Sequence, residues 1–238
     1  MKKSREPMTV GRLAAERPAA AAVLERLGFD YVWQGDQVLD EACQAAGMDV
    51  NELLELVAAE EHSQQPTPAT GGANLMERSL TELCDHIEQT HHEYLKVQLP
   101  RLDTLINWVT EQAEERYEVW DSVRRIFRKM RAELEGNLSS QEWVLFPAIR
   151  RLEQHGKRAG FPFARFSEPI GKVKQEHQRV GEAFRELRRL TDQYAVPSDA
   201  SHSYRELMES LQQCEKNLYE HFHKEHNILF RKTLKIMR

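Results

Sequence analysis

Apolar residues recur at helical spacing along most of this chain. From Leu75 onward they stand three and four residues apart, and no segment alternates with a period of two. This pattern predicts four long amphipathic helices, with a break or kink at Pro100 in the first. Their predicted ranges are 75–113, 117–154, 169–194 and 202–236. Long helices with short connections predict an up-down four-helix bundle, so the fold class is all-α.

A shorter helical unit precedes the bundle. Thr9 is placed to cap a first helix, Pro18 to open a second, and Gly28 to end it. The residues that follow this unit include two Pro, two Gly and polar side chains, which is typical of a linker. The predicted organisation is a small helical domain at 1–60, a linker at 61–74 and a bundle at 75–238.

Composition removes several classes of protein. The 238 residues include no apolar run near the roughly 20 residues that span a bilayer. The first residues carry no signal-peptide pattern, and the three cysteines form no C-x-x-C motif, so we expect a cytoplasmic, reduced protein without a membrane partner. A net charge of −5 argues against nucleic acid as a partner. No phosphate-binding loop or nucleophile motif is present, and no catalytic residue is assigned.

Ionisable side chains interrupt the apolar stripes. In the fourth long segment His221 and Glu225 stand one turn apart on the inward face. In the third segment His177 lies within an apolar stripe, and in the first segment either His91 or His92 faces inward, which helix phase does not decide. Burial of such groups costs several kcal/mol unless they are paired or bind a metal. A non-heme iron site and a purely hydrogen-bonded core are both consistent with this pattern.

The second long segment echoes the fourth. Its stripe places Asn137 and Gln141 where the fourth segment has His221 and Glu225, and continues to Val144. Amides are weak ligands for iron, which prefers imidazole and carboxylate. A symmetric two-metal core would need four such groups from these two segments, and the chain supplies two.

Taken in order, these motifs resemble the hemerythrin-like di-iron proteins of iron–sulfur cluster repair, also described as regulators of cell morphogenesis and nitric-oxide signalling. The similarity covers nearly the whole length and includes the small N-terminal domain. The residues that carry it are Asp85-His86-Ile87, Thr90-His91-His92-Glu93, Leu99-Pro100, Glu142-Trp143 through Ile149, Glu176-His177, His221 through Phe230, and Gly28-Phe29-Asp30-Tyr31.

The resemblance implies a non-heme di-iron centre held by histidines on four helices and by two bridging glutamates. It also implies a role in restoring iron–sulfur clusters damaged by nitric oxide or oxidants. Carried over position by position, the metal ligands are His92, His177, His221 and Glu225, which selects His92 over His91.

The chain departs from the family pattern at three places. The histidine and glutamate of the second helix are Asn137 and Gln141, and the histidine near the end of the first long helix has no counterpart at Gln112. The vicinal cysteine pair of the small domain is replaced by Val32 and Trp33, which we expect to pack within that domain.

These departures leave three states of the centre open. One ion could be held by His177, His221 and Glu225, with His92 completing or gating the site. The core could instead be metal-free and hydrogen-bonded. A rebuilt two-metal site would need to recruit other groups, although helix phase points these outward as surface residues: Glu142, His223 and His226.

Two functions of different class follow from these states. The first is cluster repair under nitrosative or oxidative stress, with damaged iron–sulfur proteins as targets. The second is a metal-poor paralogue that binds or regulates an intact family member. A mono-iron sensor of nitric oxide, oxygen or redox state lies between them. Association of the chain with a second copy of itself is left open.

Overall fold

The computed structural model describes residues 7–63, 75–112, 117–158 and 160–237. These residues are mostly helical and contain no β-strand, apart from an isolated backbone bridge between Thr9 and Val38. The all-α prediction is therefore confirmed. Within the described ranges, every helix is too short or too polar to cross a membrane.

Contacts divide the chain into two compact units. The first contains the described residues up to Ser79 together with Phe222–Lys235. The second contains Leu80–His221 and the terminal residues from Ile236. The linker predicted at 61–74 lies outside the described residues, except that its first three residues extend a helix to Ser63.

The N-terminal helices of the first unit form where local capping predicts them. The hydroxyl of Thr9 accepts a hydrogen bond from the backbone N–H of Arg12 at 3.3 Å, Pro18 opens the second helix, and Gly28 follows its end with a positive φ of 78°. The helices are α1 (Val10–Glu16), α2 (Pro18–Arg26), α3 (Leu39–Ala45) and α4 (Val50–Ser63).

The same unit closes on the segment Phe222–Lys235 through Asn227. Its amide donates to the carbonyl of Tyr31 at 2.8 Å, and its Oδ1 lies too close to Gly11 and Gly35 for either residue to carry a Cβ without a shift. Glycine at both positions therefore permits this close approach. Val32 is buried, and Trp33 contacts the rings of Phe222 and His226.

The second unit is a bundle in which α7 packs against both α6 and α9. Its core is apolar and closely filled, with Phe127, Phe146 and Phe184 almost fully buried. Pro100 lies inside α6 without ending it. The helices of this unit are α5 (Leu80–Ile87), α6 (Glu93–Gln112), α7 (Tyr117–Ser140), α8 (Phe146–His155), α9 (Ser167–Leu190) and most of α10 (His202–His223). The last helix, α11 (Phe230–Met237), lies mostly in the first unit.

Three π-helical turns join these helices into longer columns. They span Glu88–His92 between α5 and α6, Gln141–Leu145 between α7 and α8, and Lys224–Leu229 between α10 and α11. A π-turn inserts one extra residue into an α-helix and shifts the phase of everything after it. The prediction that Val144 faces inward is wrong for this reason: Val144 is exposed and Leu145 is buried.

Candidate metal centre

Each π-turn carries a residue of the predicted site. His92 ends the first turn, Gln141 begins the second, and Glu225 lies in the third. Such turns are frequent at functional sites, where the extra residue changes the direction of side chains relative to a regular helix. The backbone is therefore irregular where the polar side chains enter the bundle.

A compact group of possible metal ligands is formed by His92, His221 and Glu225. Each offers one ligand atom, and the three atoms lie within 4.8 Å of one another. All three residues are fully buried. His221 and Glu225 lie one turn apart on a continuous helical column, as the four-residue spacing predicts.

The geometry of this group fits a transition-metal ion. The Nε2 atoms of His92 and His221 are 3.2 Å apart. Two imidazole nitrogens that share one ion at about 2.1 Å each lie roughly 3.0–3.4 Å from one another. A buried carboxylate beside two imidazoles is costly without a cation, and this donor set suits non-heme iron.

Glu142 holds the opposite side of the His92 ring. Its Oε1 lies 2.9 Å from Nδ1 of His92, and Lys96 donates to the same carboxylate at 2.8 Å. Burial alone would raise the pKa of Glu142, but the hydrogen bonds from Lys96 and His92 outweigh it and hold that pKa below its usual value. The ion pair with Lys96, which contacts both carboxylate oxygens, therefore favours the ionised form of Glu142, which accepts hydrogen bonds.

His177 is buried but lies outside this compact group. Its Nε2 is 3.0 Å from Oδ1 of Asn137, and the Gln141 amide donates to the same oxygen at 3.0 Å. Asn137 in turn donates to Glu176. The same Nε2 also lies 3.4 Å from the amide nitrogen of Gln141. A proton on Nε2 would satisfy the contact with Asn137, so that hydrogen bond and metal binding through Nε2 exclude each other.

Two further histidines of the last column are buried. His223 and His226 are 8% and 4% exposed, and the Asn227 amide lies 3.0 Å from Nδ1 of His223. The expectation that they are solvated surface residues is wrong, because the rings of Tyr31 and Trp33 cover them, with centroids 5.0 Å from His223 and 5.6 Å from His226. Glu142 is half-buried: its side chain reaches solvent, and its carboxylate also contacts His92.

His91 and Gln112 are the other two positions considered from the sequence, and neither joins the group of possible ligands. His91 stacks on His221 with ring centroids 5.4 Å apart, and its Nδ1 lies 3.2 Å from the side-chain oxygen of Asn217. Gln112 is exposed at the end of α6. Sequence reasoning missed the role of Glu142, and no regular 3.6-residue periodicity reveals it, because it depends on the π-turn that begins at Gln141.

A buried group of two histidines and a glutamate inside a helical bundle is typical of proteins that bind a non-heme metal ion. Residues 85–233 match the hemerythrin HHE cation binding domain family. Residues 6–61 match a second family, ScdA_N, which is described as a domain of unknown function. Because the first match covers more than half of the 238 residues, the chain belongs to the hemerythrin HHE family.

Curated relatives cover nearly the whole chain. A probable iron-sulfur cluster repair protein of Haemophilus influenzae is 27% identical over 94% of this chain and 96% of its own length. The iron-sulfur cluster repair protein ScdA of Staphylococcus haemolyticus is 22% identical over the same shares. The iron-sulfur cluster repair protein YtfE of Musicola paradisiaca is 25% identical over 95% of this chain and 96% of its own.

Proposed function

We propose that this chain is an iron-binding protein of the cluster-repair type that holds a single non-heme iron ion. His92, His221 and Glu225 are its ligands. The observation that carries the proposal is the convergence of their three ligand atoms within 4.8 Å in a fully buried position. The relatives are named iron-sulfur cluster repair proteins. The proposed setting is accordingly the repair of damaged iron–sulfur proteins, which we place in the cytoplasm.

The residues around the group support one ion rather than two. A second ion would need ligands on the side of Asn137, Gln141 and His177, and these side chains are joined by hydrogen bonds of 3.0 Å. Two of them are neutral amides, which bring no charge to balance a second cation. His177 therefore belongs to a hydrogen-bonded wall beside the proposed ion.

The protein's own part in the chemistry is to prepare the ligands. Glu142 lies 2.9 Å from Nδ1 of His92, while Nε2 of that ring lies toward His221. Surrounding apolar side chains of the bundle, such as Phe146 stacked on His92, keep water from the ring. Bound iron would supply a redox-active Lewis acid with open coordination positions.

Iron content tests the proposal directly. We expect protein from iron-supplemented cells, reconstituted anaerobically, to bind a single iron per chain without an oxo-bridged charge-transfer band. His221→Gln should abolish binding, whereas His91→Gln, a matched change in the ring that stacks on His221, should retain it. Two irons per chain, no iron at all, or equal loss in both variants would contradict the proposal.

The repair role needs a separate assay. A hydratase whose [4Fe–4S] cluster has been damaged by nitric oxide should recover faster in cells that express the chain than in cells that express His221→Gln. Equal recovery, with iron bound by the wild-type chain, would favour a mono-iron sensor of nitric oxide, oxygen or redox state.

A second candidate function is favoured by the amide wall itself. Asn137 and Gln141 are integrated into the core by hydrogen bonds, as expected of a metal-poor paralogue that binds an intact family member or a second copy of this chain. Co-purification of such a partner with iron-free protein would support this candidate over the first.

A further inference from the structure

We infer that Glu142 is a positioning residue that sets the proton of His92 and thereby makes its Nε2 atom a metal ligand. This inference rests on the proposed iron site. The relationship that carries it is a carboxylate on one helical column that holds the Nδ1 side of a fully buried imidazole on another, 50 residues away.

The donors and acceptors of Glu142 and His92 determine which ring nitrogen of His92 carries the proton. An ionised carboxylate only accepts hydrogen bonds, so the 2.9 Å contact requires the proton of His92 on Nδ1. A neutral imidazole carries one ring proton, and Nε2 is then a lone-pair atom. That atom faces Nε2 of His221, where the ligand atoms converge.

Lys96 makes the arrangement sensitive to the charge of residue 142. Its ammonium lies 2.7 Å from Oε1 and 2.8 Å from Oε2 of Glu142, so it contacts both oxygens. The carboxylate has enough lone pairs to accept from Lys96 and from His92 together. An amide in its place has one oxygen, for which the two donors would compete.

The charged donor should win that competition, because hydrogen bonds from an ionised group are the stronger ones. In Glu142→Gln the new amide would turn its oxygen toward Lys96 and its NH₂ group toward Nδ1 of His92. Nδ1 then becomes an acceptor and the ring proton moves to Nε2. The ligand atom is lost without any change in side-chain volume.

Glu142 is also reachable from solvent. It lines a surface cavity of about 310 Å³ together with Glu93, Lys96 and the exposed ring of Trp143. Truncation to alanine would enlarge this opening, so the isosteric glutamine is the informative change. Glu93→Gln is its matched control, because Glu93 is an exposed carboxylate of the same cavity.

The experiment measures both the affinity for iron(II) and the position of the His92 ring proton. Anaerobic titration of iron(II) against a competing chelator should show roughly 10- to 100-fold weaker binding in Glu142→Gln and no change in Glu93→Gln. Imidazole nitrogen NMR of the metal-free proteins should show the His92 proton on Nδ1 in the wild type and on Nε2 in Glu142→Gln.

A double variant separates positioning from a structural role. Adding Lys96→Met removes the competing donor, so the amide oxygen can again accept from Nδ1–H, and both the tautomer and most of the affinity should return. Unchanged affinity and tautomer in Glu142→Gln, or no recovery in the double variant, would overturn the inference. If the wild type binds no iron, the proposed function fails, while the NMR comparison still tests the inference alone.

Discussion

The side-chain oxygen of Asn137 lies 3.0 Å from Nε2 of His177, the atom through which that ring would otherwise bind a metal. Gln141 donates to the same oxygen and completes a buried network. Asn137 and Gln141 stand where the family has histidine and glutamate on the second long helix. The two amides fill that side of the core with hydrogen bonds to each other and to His177.

This wall predicts different roles for His177 and His92. His177→Leu removes a buried donor and leaves amide groups of the network without their partner, so we expect a loss of roughly 1–3 kcal/mol of stability with iron still bound. Urea unfolding and iron content measure the two effects. His92→Leu should lose the iron, and equal loss in His177→Leu would show that His177 is a ligand.

Restoring the family's residues should restore the second ion. We expect Asn137→His combined with Gln141→Glu to raise the iron content from one to two per chain, because the pair supplies an imidazole and a charged carboxylate beside His177. Iron analysis and the optical spectrum of the oxidised protein measure this change. Each single variant is the control, since neither supplies both groups. An unchanged iron content in a folded double variant would show that this face does not form a second site.

The sequence predicts much of the fold because its signals are local. Apolar spacing marks the long helices, and Thr9, Pro18 and Gly28 punctuate the first ones as capping chemistry requires. The resemblance to the family adds what spacing leaves open, such as the choice of His92 over His91. The structure places both rings in the core, yet only His92 belongs to the compact ligand group.

What the sequence does not predict depends on the π-turns. A periodicity of 3.6 residues extrapolates through them as if the helix were regular, so it misplaces some of the residues within and beyond the insertion. Val144 is predicted inward and is exposed, while His226 is predicted outward and is buried. The contact between Glu142 and His92 joins two helices, and no local pattern of either one encodes it.

Close packing around Asn227 makes a prediction for the first unit. A Cβ added at Gly11 would overlap Oδ1 of Asn227 and stand 2.8 Å from the Cα of Gly35. Because one of these atoms is backbone, we expect Gly11→Ala to cost about 1–3 kcal/mol, the usual range for overpacking. Chemical denaturation monitored by helical circular dichroism would measure the loss.

Gly136→Ala provides the contrasting case. Gly136 lies inside α7 with nothing within 4 Å of an added Cβ, so alanine should stabilise the helix by roughly 0.5–1 kcal/mol. A Gly11→Ala variant as stable as the wild type would show that the loop carrying Gly35 can yield.

The last prediction concerns a buried carboxyl group away from the metal centre. Burial raises the pKa of Glu215, although the hydrogen bond from Tyr194 at 2.8 Å and the charge of Arg188 both lower it. A carboxyl whose pKa is higher in the folded chain than in the unfolded chain binds its proton more tightly when folded. Its contribution to stability is therefore present below the unfolded pKa and is lost as pH rises through the raised value.

Glu215→Gln removes this titration while it keeps the side-chain volume and an oxygen that accepts from Tyr194. We expect the free energy of unfolding of the variant, relative to the wild type, to increase as pH rises from about 4 to about 7. Urea unfolding at a series of pH values measures this difference, and Glu209→Gln, an exposed change on the same helix, should show no such trend. Parallel curves for wild type and Glu215→Gln would contradict the prediction, because they would mean that the carboxyl has the same proton affinity in the folded and unfolded chains.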